Sequence, residues 1–276
     1  MPQFDLHTHS TASDGILSPG ELVSRAKQRG VDVLALTDHD TTAGLDAAHS
    51  AAGHAGVRLI AGIEVSSQWQ GRGVHILGLN VDPAHAAMVA AVEHQSHMRL
   101  ERAQRIDERL RKVGVEGALA GARALAGEAI LGRPHFARFL VEAGYVSSVS
   151  AAFKRYLGAG KVGDVKHFWP EVGVVVGWIR ASGGVAVLAH PCKYKLTRTK
   201  LCALAREFCS AGGEGIEVIS GNQPLNTTRD LVRIANELGL SGSCGSDFHV
   251  PDQPWQELGG CGALPSDCRP VWQAWL

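Results

Sequence analysis

Seven apolar, β-branched runs of strand length are spread along the chain, and helical sequence separates several of them. The runs are Phe4 to Leu6, Val31 to Thr37, Val57 to Val65, Val74 to Val81, Gly184 to Ala189, Gly215 to Ile219 and Ser241 to Ser246. Val31 to Leu36 is apolar without alternation, as a strand covered on both faces must be. Helices are the usual cover for such a strand, and the one before it is well signed. Ser18, Pro19 and Glu21 supply an N-cap, a first-turn proline and a capping-box acid, and Gly30 can close the end. Further helices are expected over Thr42 to Ala52, Thr199 to Ser210 and Asn226 to Leu238. Strands alternating with helices imply parallel βα units. The fold class expected is therefore α/β, a distorted seven-stranded (β/α) barrel.

Between Ala86 and Glu171 the strand pattern stops, and helical sequence runs from Met88 through Val113 and again from Ala137 to Tyr156. This predicts a barrel built from 1–85 and 172–276, with 86–171 as an inserted helical cap subdomain. The first inserted helix carries Arg99, Arg102, Arg105, Arg109, Arg111 and Lys112 against Glu101, Asp107 and Glu108, which reads as a solvated face laced with salt bridges.

Composition narrows the partners. Lys plus Arg and Asp plus Glu both number 27 in 276 residues, so no overall field concentrates duplex DNA. The start does not resemble a secretory leader, and no run of about 18 apolar residues offers a membrane span. The expected location is cytoplasmic. Six cysteines without a C-x-x-C pair read as buried thiols in a reducing compartment.

The 13 histidines are the departure from average, and several of them fall at or near strand ends. His7 and His9 alternate, so both leave one face of a strand and can grip one ion. Asp14 follows in the next loop, where a turn role is the ordinary alternative. The second strand ends in Thr37, Asp38, His39 and Asp40, with Asp38 or Asp40 expected to cap the following helix. Glu64 closes the third strand among Leu59, Ile60, Ile63 and Val65, and a buried carboxylate costs several kcal/mol unless a cation compensates it. His75 lies inside the fourth run, where a lone histidine is ordinarily a core residue. His190 follows Val185 to Ala189 and precedes Pro191. Asp247 and His249 repeat the spacing of His7 and His9 after the last strand. Nine candidate ligands (His7, His9, Asp14, His39, Glu64, His75, His190, Asp247, His249) exceed what one ion can use. Two or three divalent ions are implied. With imidazole and carboxylate donors and no thiolate, manganese is favoured, and zinc or iron also suits.

The order H-x-H, D, D-H, E, H, H-P, G-S-D-x-H resembles the polymerase and histidinol phosphatase (PHP) family of metal-dependent phosphoesterases over nearly the whole chain. G-R-P-H at Gly132 to His135, A-H-P at Ala189 to Pro191 and Y-K-L at Tyr194 to Leu196 are similar to a bacterial branch related to the TrpH proteins. That branch includes phosphatases of nucleoside 3′,5′-bisphosphates and exonucleases acting on short RNA from the 5′ end. The resemblance implies a trinuclear centre: His7, His9 and Asp247 on one ion, Glu64 bridging to a second held by His75 and His190, and Asp14, His39 and His249 on the third. It implies hydrolysis by metal-activated water with no protein nucleophile.

The leading expectation is removal of the 3′-phosphate of a nucleoside 3′,5′-bisphosphate, giving the 5′-monophosphate and phosphate. The alternatives are a 5′-3′ exoribonuclease on short oligonucleotides, a histidinol phosphatase, and a noncatalytic PHP module of structural or regulatory kind. The exoribonuclease calls for aromatic stacking residues, with Phe136, Phe153, Phe168 and Trp169 the candidates in the insertion. Arg133 and His135 are expected to bind substrate phosphate from a loop, because a residue before proline is biased away from helix. The competing use of Arg133 is a surface pair with Glu142 or Glu128.

Overall fold

Seven strands follow one another around a single sheet in chain order: β1 (Phe4–Asp5), β2 (Val33–Leu36), β3 (Arg58–Trp69), β4 (Arg72–Leu79), β5 (Val185–Leu188), β6 (Gly215–Ser220) and β7 (Ser241–Gly245). This is a computed structural model, and it describes residues 2–165 and 169–275. The two ends of the sheet meet. Leu6 N donates to Cys244 O at 3.0 Å, Thr8 bridges Phe248 in parallel, and Asp247 N donates to His7 O at 2.8 Å. The result is the nearly closed seven-stranded barrel expected of the α/β pattern.

One strand departs from the all-parallel expectation. β4 pairs antiparallel with both β3 and β5. Its cause is a two-residue turn, Gln70 and Gly71, with φ of 49° and 70°. Two left-handed residues match the twist of a hairpin, and the turn folds the chain straight back. β3 consequently runs on to Trp69 rather than stopping at Val65, and Glu64 is internal to it rather than terminal. Reversal also settles where His75 lies. It pairs with Ser66, so it sits at the end of the barrel where the parallel strands finish.

Helices α1 (Pro19–Gln28) and α2 (Leu45–Ala55) pack on β2 and β3 through Leu22, Val23, Leu34, Leu36, Leu45 and Ala48. The capping box of α1 is formed as expected: Glu21 N donates to Ser18 Oγ at 3.3 Å, and Ser18 N donates to Glu21 Oε2 at 2.8 Å. Neither Asp38 nor Asp40 caps α2, which starts at Gly44 without a side-chain cap. Both carboxylates are drawn inward instead. Asp38 accepts from Ser10 N, Ser10 Oγ and Ser13 Oγ at 2.6–2.7 Å, and so fastens the loop after β1.

Between β4 and β5 come α3 (Ala86–Arg111), α4 (Ala118–Ala126), α5 (Arg133–Glu142), the short α6 (Val149–Ala152) and α7 (Val172–Ala181). Ala103, Ile106, Leu110, Phe136, Leu140 and Leu157 make a second apolar core apart from that of the barrel. α3 belongs to both, since Met88 in its first turn is buried in the barrel core. The helices α8 (Arg198–Ser210) and α9 (Leu225–Leu238) complete the cover over β5 to β7.

Two local expectations are corrected. Arg133 is not in a loop: it is the first residue of α5, with Pro134 next in the first turn, where a missing N–H costs nothing. The arginines of α3 are not all solvated. Arg105 and Arg111 pair with Glu101 and Asp107 one turn away, as expected, but Arg99 is buried, 8% exposed. Its Nε donates to Asp40 Oδ2 at 2.6 Å, and Asp40 also accepts from Ser66 N and Gln95 Nε2. A helix of the insertion is thereby tied to the ends of β2 and β3.

Candidate metal centre

The histidines and carboxylates foreseen at the strand ends converge at one mouth of the barrel. His7 and His9 follow β1 in extended chain, His39 follows β2, and His190 follows β5 at φ 26°. Asp247 and His249 come after β7 and are not on it. The chain turns at Asp247, φ 55°, so their shared direction comes from a bend rather than from strand alternation.

Donor atoms gather in three groups, each within 4.8 Å: His9, Asp14, His39 and His249; His7, His9, Glu64 and Asp247; and His39, Glu64 and His75. Each is able to hold a metal ion. His190 adjoins the last group, its Nε2 lying 2.8 Å from Glu64 Oε1. His9 and His39 therefore each stand in two groups, where the partition implied by resemblance gives each to one. Glu64, fully buried, faces all sides: its Oε1 contacts His75 Nδ1 at 2.8 Å, and its Oε2 lies 2.9–3.3 Å from His39, His7 and His9.

These contacts are close but poorly aligned. His7 Nε2, both ring nitrogens of His9, His39 Nδ1 and Glu64 Oε2 are buried without a hydrogen-bond partner. Donor atoms that face a common point instead of each other fit cations of small radius, and orphaned buried polar atoms are otherwise costly.

Electrostatics points the same way. Burial opposes ionisation of Glu64, Asp14 and Asp247, yet the surrounding imidazoles hold all three carboxyls well below their usual range. For Glu64 the leading partners are His39, His75 and His7. Burial likewise disfavours charge on His7 and His9, but the carboxylates outweigh it, raising His7 well above its usual value and His9 to about 9. In His39 and His190 burial wins, and both are lowered. Buried negative charge here demands positive charge, which bound ions supply while leaving the imidazoles neutral.

Sequence reasoning overlooked Glu217 on β6. It is fully buried, both carboxylate oxygens lie 3.3 Å from His7 Nδ1, and Oε2 accepts from His190 N at 2.5 Å. One carboxylate thus aims the His7 ring and pins the strained backbone of His190. Its signal was the one used for Glu64, a lone acid in an apolar run. Such outer partners fix ring orientation. Glu217→Gln should weaken metal retention about 10- to 100-fold with the fold intact, measured by metal analysis after dialysis and by circular dichroism. Unchanged retention would leave Glu217 with a packing role only. Lys193 was also missed; its Nζ is paired with Asp247 Oδ2.

Residues 5–161 match the PHP domain family. The chain belongs to the PHP family. Among its PHP relatives is a protein named 5′-3′ exoribonuclease from Haemophilus influenzae, 46% identical over 98% of each chain. Another, named 3′,5′-nucleoside bisphosphate phosphatase, comes from Chromobacterium violaceum and is 42% identical over 99% of this chain and 96% of that one. A solved structure called an amidohydrolase, also from Chromobacterium violaceum and holding sulfate but no metal, superposes with TM-score 0.91 at 42% identity. It covers 99% of this chain and 95% of the other. Among the described residues, no helix of this PHP protein is long and apolar enough to cross a membrane.

Proposed function

We propose that the protein is a metal-dependent phosphatase that removes the 3′-phosphate of nucleoside 3′,5′-bisphosphates. The observation that carries this reading is the set of three donor groups sharing Glu64, His9 and His39 at the barrel mouth. His7, His9, Asp14, His39, Glu64, His75, His190, Asp247 and His249 hold the ions, with manganese the favoured metal. Bound there, the ions supply an activated water and neutralise charge on the phosphoryl oxygens. The chain's own part is to present these donors in fixed geometry, exclude competing water from a buried floor, and hold the rest of the substrate. No side chain is needed as nucleophile. Six free cysteines fit the reducing, cytoplasmic setting proposed for it.

Residues 86–171 act as the cap over the barrel of 1–85 and 172–276. Ile130 N donates to Ala12 O at 3.1 Å, which seats this segment on the loop carrying Asp14. Arg133 and His135 stand at the start of α5 close enough for Asp14 to act on both electrostatically. Arg133 pairs with neither Glu142 nor Glu128; its Nη1 donates to Leu157 O at 3.3 Å. His135 accepts from Gly132 N through Nδ1 at 3.0 Å, so one ring nitrogen closes the helix and the other remains for substrate. Arg133→Ala should keep metal content and lower kcat/KM on the bisphosphate by about 1.5 to 3 kcal/mol, the worth of a hydrogen bond to a charged group. An undiminished kcat/KM would remove Arg133 from the site.

The exoribonuclease reading draws on the Haemophilus influenzae relative's name. It needs aromatic platforms for successive bases. Phe136 is in the second core, Arg133 lies over Phe153 at 5.9 Å, and both Arg99 and Arg102 lie over the Trp169 ring; Phe168 falls outside the described residues. The small substrate is therefore preferred. Phosphate release from adenosine 3′,5′-bisphosphate, mononucleotides, histidinol phosphate and short 5′-phosphorylated RNA, compared at equal manganese, separates the readings. Faster turnover of RNA than of the bisphosphate would reverse the order.

A further inference from the structure

Trp255 lies 57% exposed in the segment after β7, on a backbone that is fixed from both sides. Its carbonyl accepts from Asn222 N at 2.8 Å, in the loop after β6. That loop turns at Gly221, φ 54°, where a Cβ would come within 2.4 Å of Trp255 O, so the close approach requires glycine. Two residues on, Glu257 is gripped by Arg25, whose Nε and Nη2 donate to its two oxygens at 3.0 and 2.6 Å. The ring has no such restraint. Among the described residues no aromatic or cationic group lies on it, and its N–H meets no acceptor. The other tryptophans are occupied: Trp69 is buried in the barrel core, Trp178, Trp272 and Trp275 pack against that core, and Trp169 lies under Arg99 and Arg102.

An indole left in water forfeits one of the largest gains that burial offers a side chain, and a braced backbone has already met much of the cost of ordering it for a ligand. Its position indicates which ligand. Gln256, the next residue, donates through Nε2 to Asp247 O at 2.8 Å and lies 3.3 Å from Asp247 Oδ2, so Trp255 stands one residue from a side chain that touches the metal centre. The cap is tied down elsewhere, to the loops after β1 and β2 and to β3, through Ile130, Arg99 and Gln95. The arc of β6 and β7 belongs to Trp255. A nucleotide whose 3′-phosphate lies on the ions carries its base one sugar away from them, within reach of that rim.

We propose that Trp255 is a stacking platform for the base of the nucleotide substrate. This rests on the phosphatase reading and deepens it: the ions take the scissile phosphate, and the indole selects phosphate esters that carry a flat ring. Every base has a π face, so the platform favours nucleotides as a class without choosing among them. One indole serves one base, which is what a mononucleotide presents.

The test compares kcat/KM for adenosine 3′,5′-bisphosphate and for 1,4-anhydroribitol 3,5-bisphosphate, the same sugar bisphosphate with hydrogen in place of the base. The manganese-loaded wild type is set beside Trp255→Ala and Trp255→Phe. The preference for the nucleotide should fall about 10- to 100-fold in Trp255→Ala, chiefly through KM, and be largely kept in Trp255→Phe. Equal losses on both substrates, or an unchanged preference, overturn the proposal. A second arm needs no turnover. Adenosine 5′-monophosphate, the expected product, should quench part of the wild-type tryptophan emission, and Trp255→Phe should lose that part. No quench in the wild type, or an equal quench in both, overturns the platform. So does a wild-type dimer that Trp255→Ala turns into a monomer with the preference unmoved, which would assign the ring to an interface between copies. A Trp255-dependent quench in a protein that cleaves no bisphosphate would keep the base platform and discard the phosphatase reading.

Discussion

Glu64→Gln should strip most of the bound metal and lower phosphate release by more than about 100-fold, beyond the 10- to 100-fold typical of outer partners. The change keeps the size of the side chain and removes its charge. That carboxylate is fully buried and faces His7, His9, His39, His75 and His190 at once. An amide offers a single oxygen without charge, so the donor groups that share Glu64 lose their common anion. Metal analysis and a phosphate assay on the same preparation check the result. Turnover near wild type with metals retained would return Glu64 to a structural role.

Chelation is expected to abolish hydrolysis, and manganese to restore it. The physical reason is the concentration of acids and imidazoles in a buried floor, whose orphaned donor atoms have no partner in the protein itself. Ions that bind the folded chain alone also stabilise it, by about 4 kcal/mol per site at a thousandfold excess over Kd. For a chain of this length that corresponds to a fall in melting temperature of about 10 °C when metal is removed. Full activity and an unmoved melting temperature in chelator would contradict the metal centre.

The seven strands were legible because each is an unbroken apolar run ended by polar residues, and the histidines could be found because such residues have no other reason to cluster at strand ends. Strand direction was not legible: hydrophobic periodicity has no sign, so β4 was read as one more parallel strand. The Gln70-Gly71 turn held the information. Glu217 and Asp5 escaped notice although each is a lone acid in an apolar strand, the argument that marked Glu64. Asp5 accepts from Ser246 N and Gly259 N at 2.8 and 2.9 Å and serves the chain's own backbone, with burial raising its pKa to about 6. Arg99 could not be told from the four other arginines of α3, since its partner Asp40 lies 59 residues away in sequence. The expected cap on α2 failed for a related reason: a buried tertiary partner outcompeted a local turn.

Closure of the barrel has a consequence for how the protein is made. The first strand is two residues long and is completed by the segment after β7, and the donors run from His7 to His249. At ordinary rates of synthesis, His7 and His9 wait about 10 to 50 s for Asp247 and His249 to emerge. During that interval the H-x-H pair is an open chelator on a nascent chain, able to take whichever ion is abundant. The finished site can only be assembled once the segment after β7 arrives, so metal loading of the complete site is an event of the full-length chain.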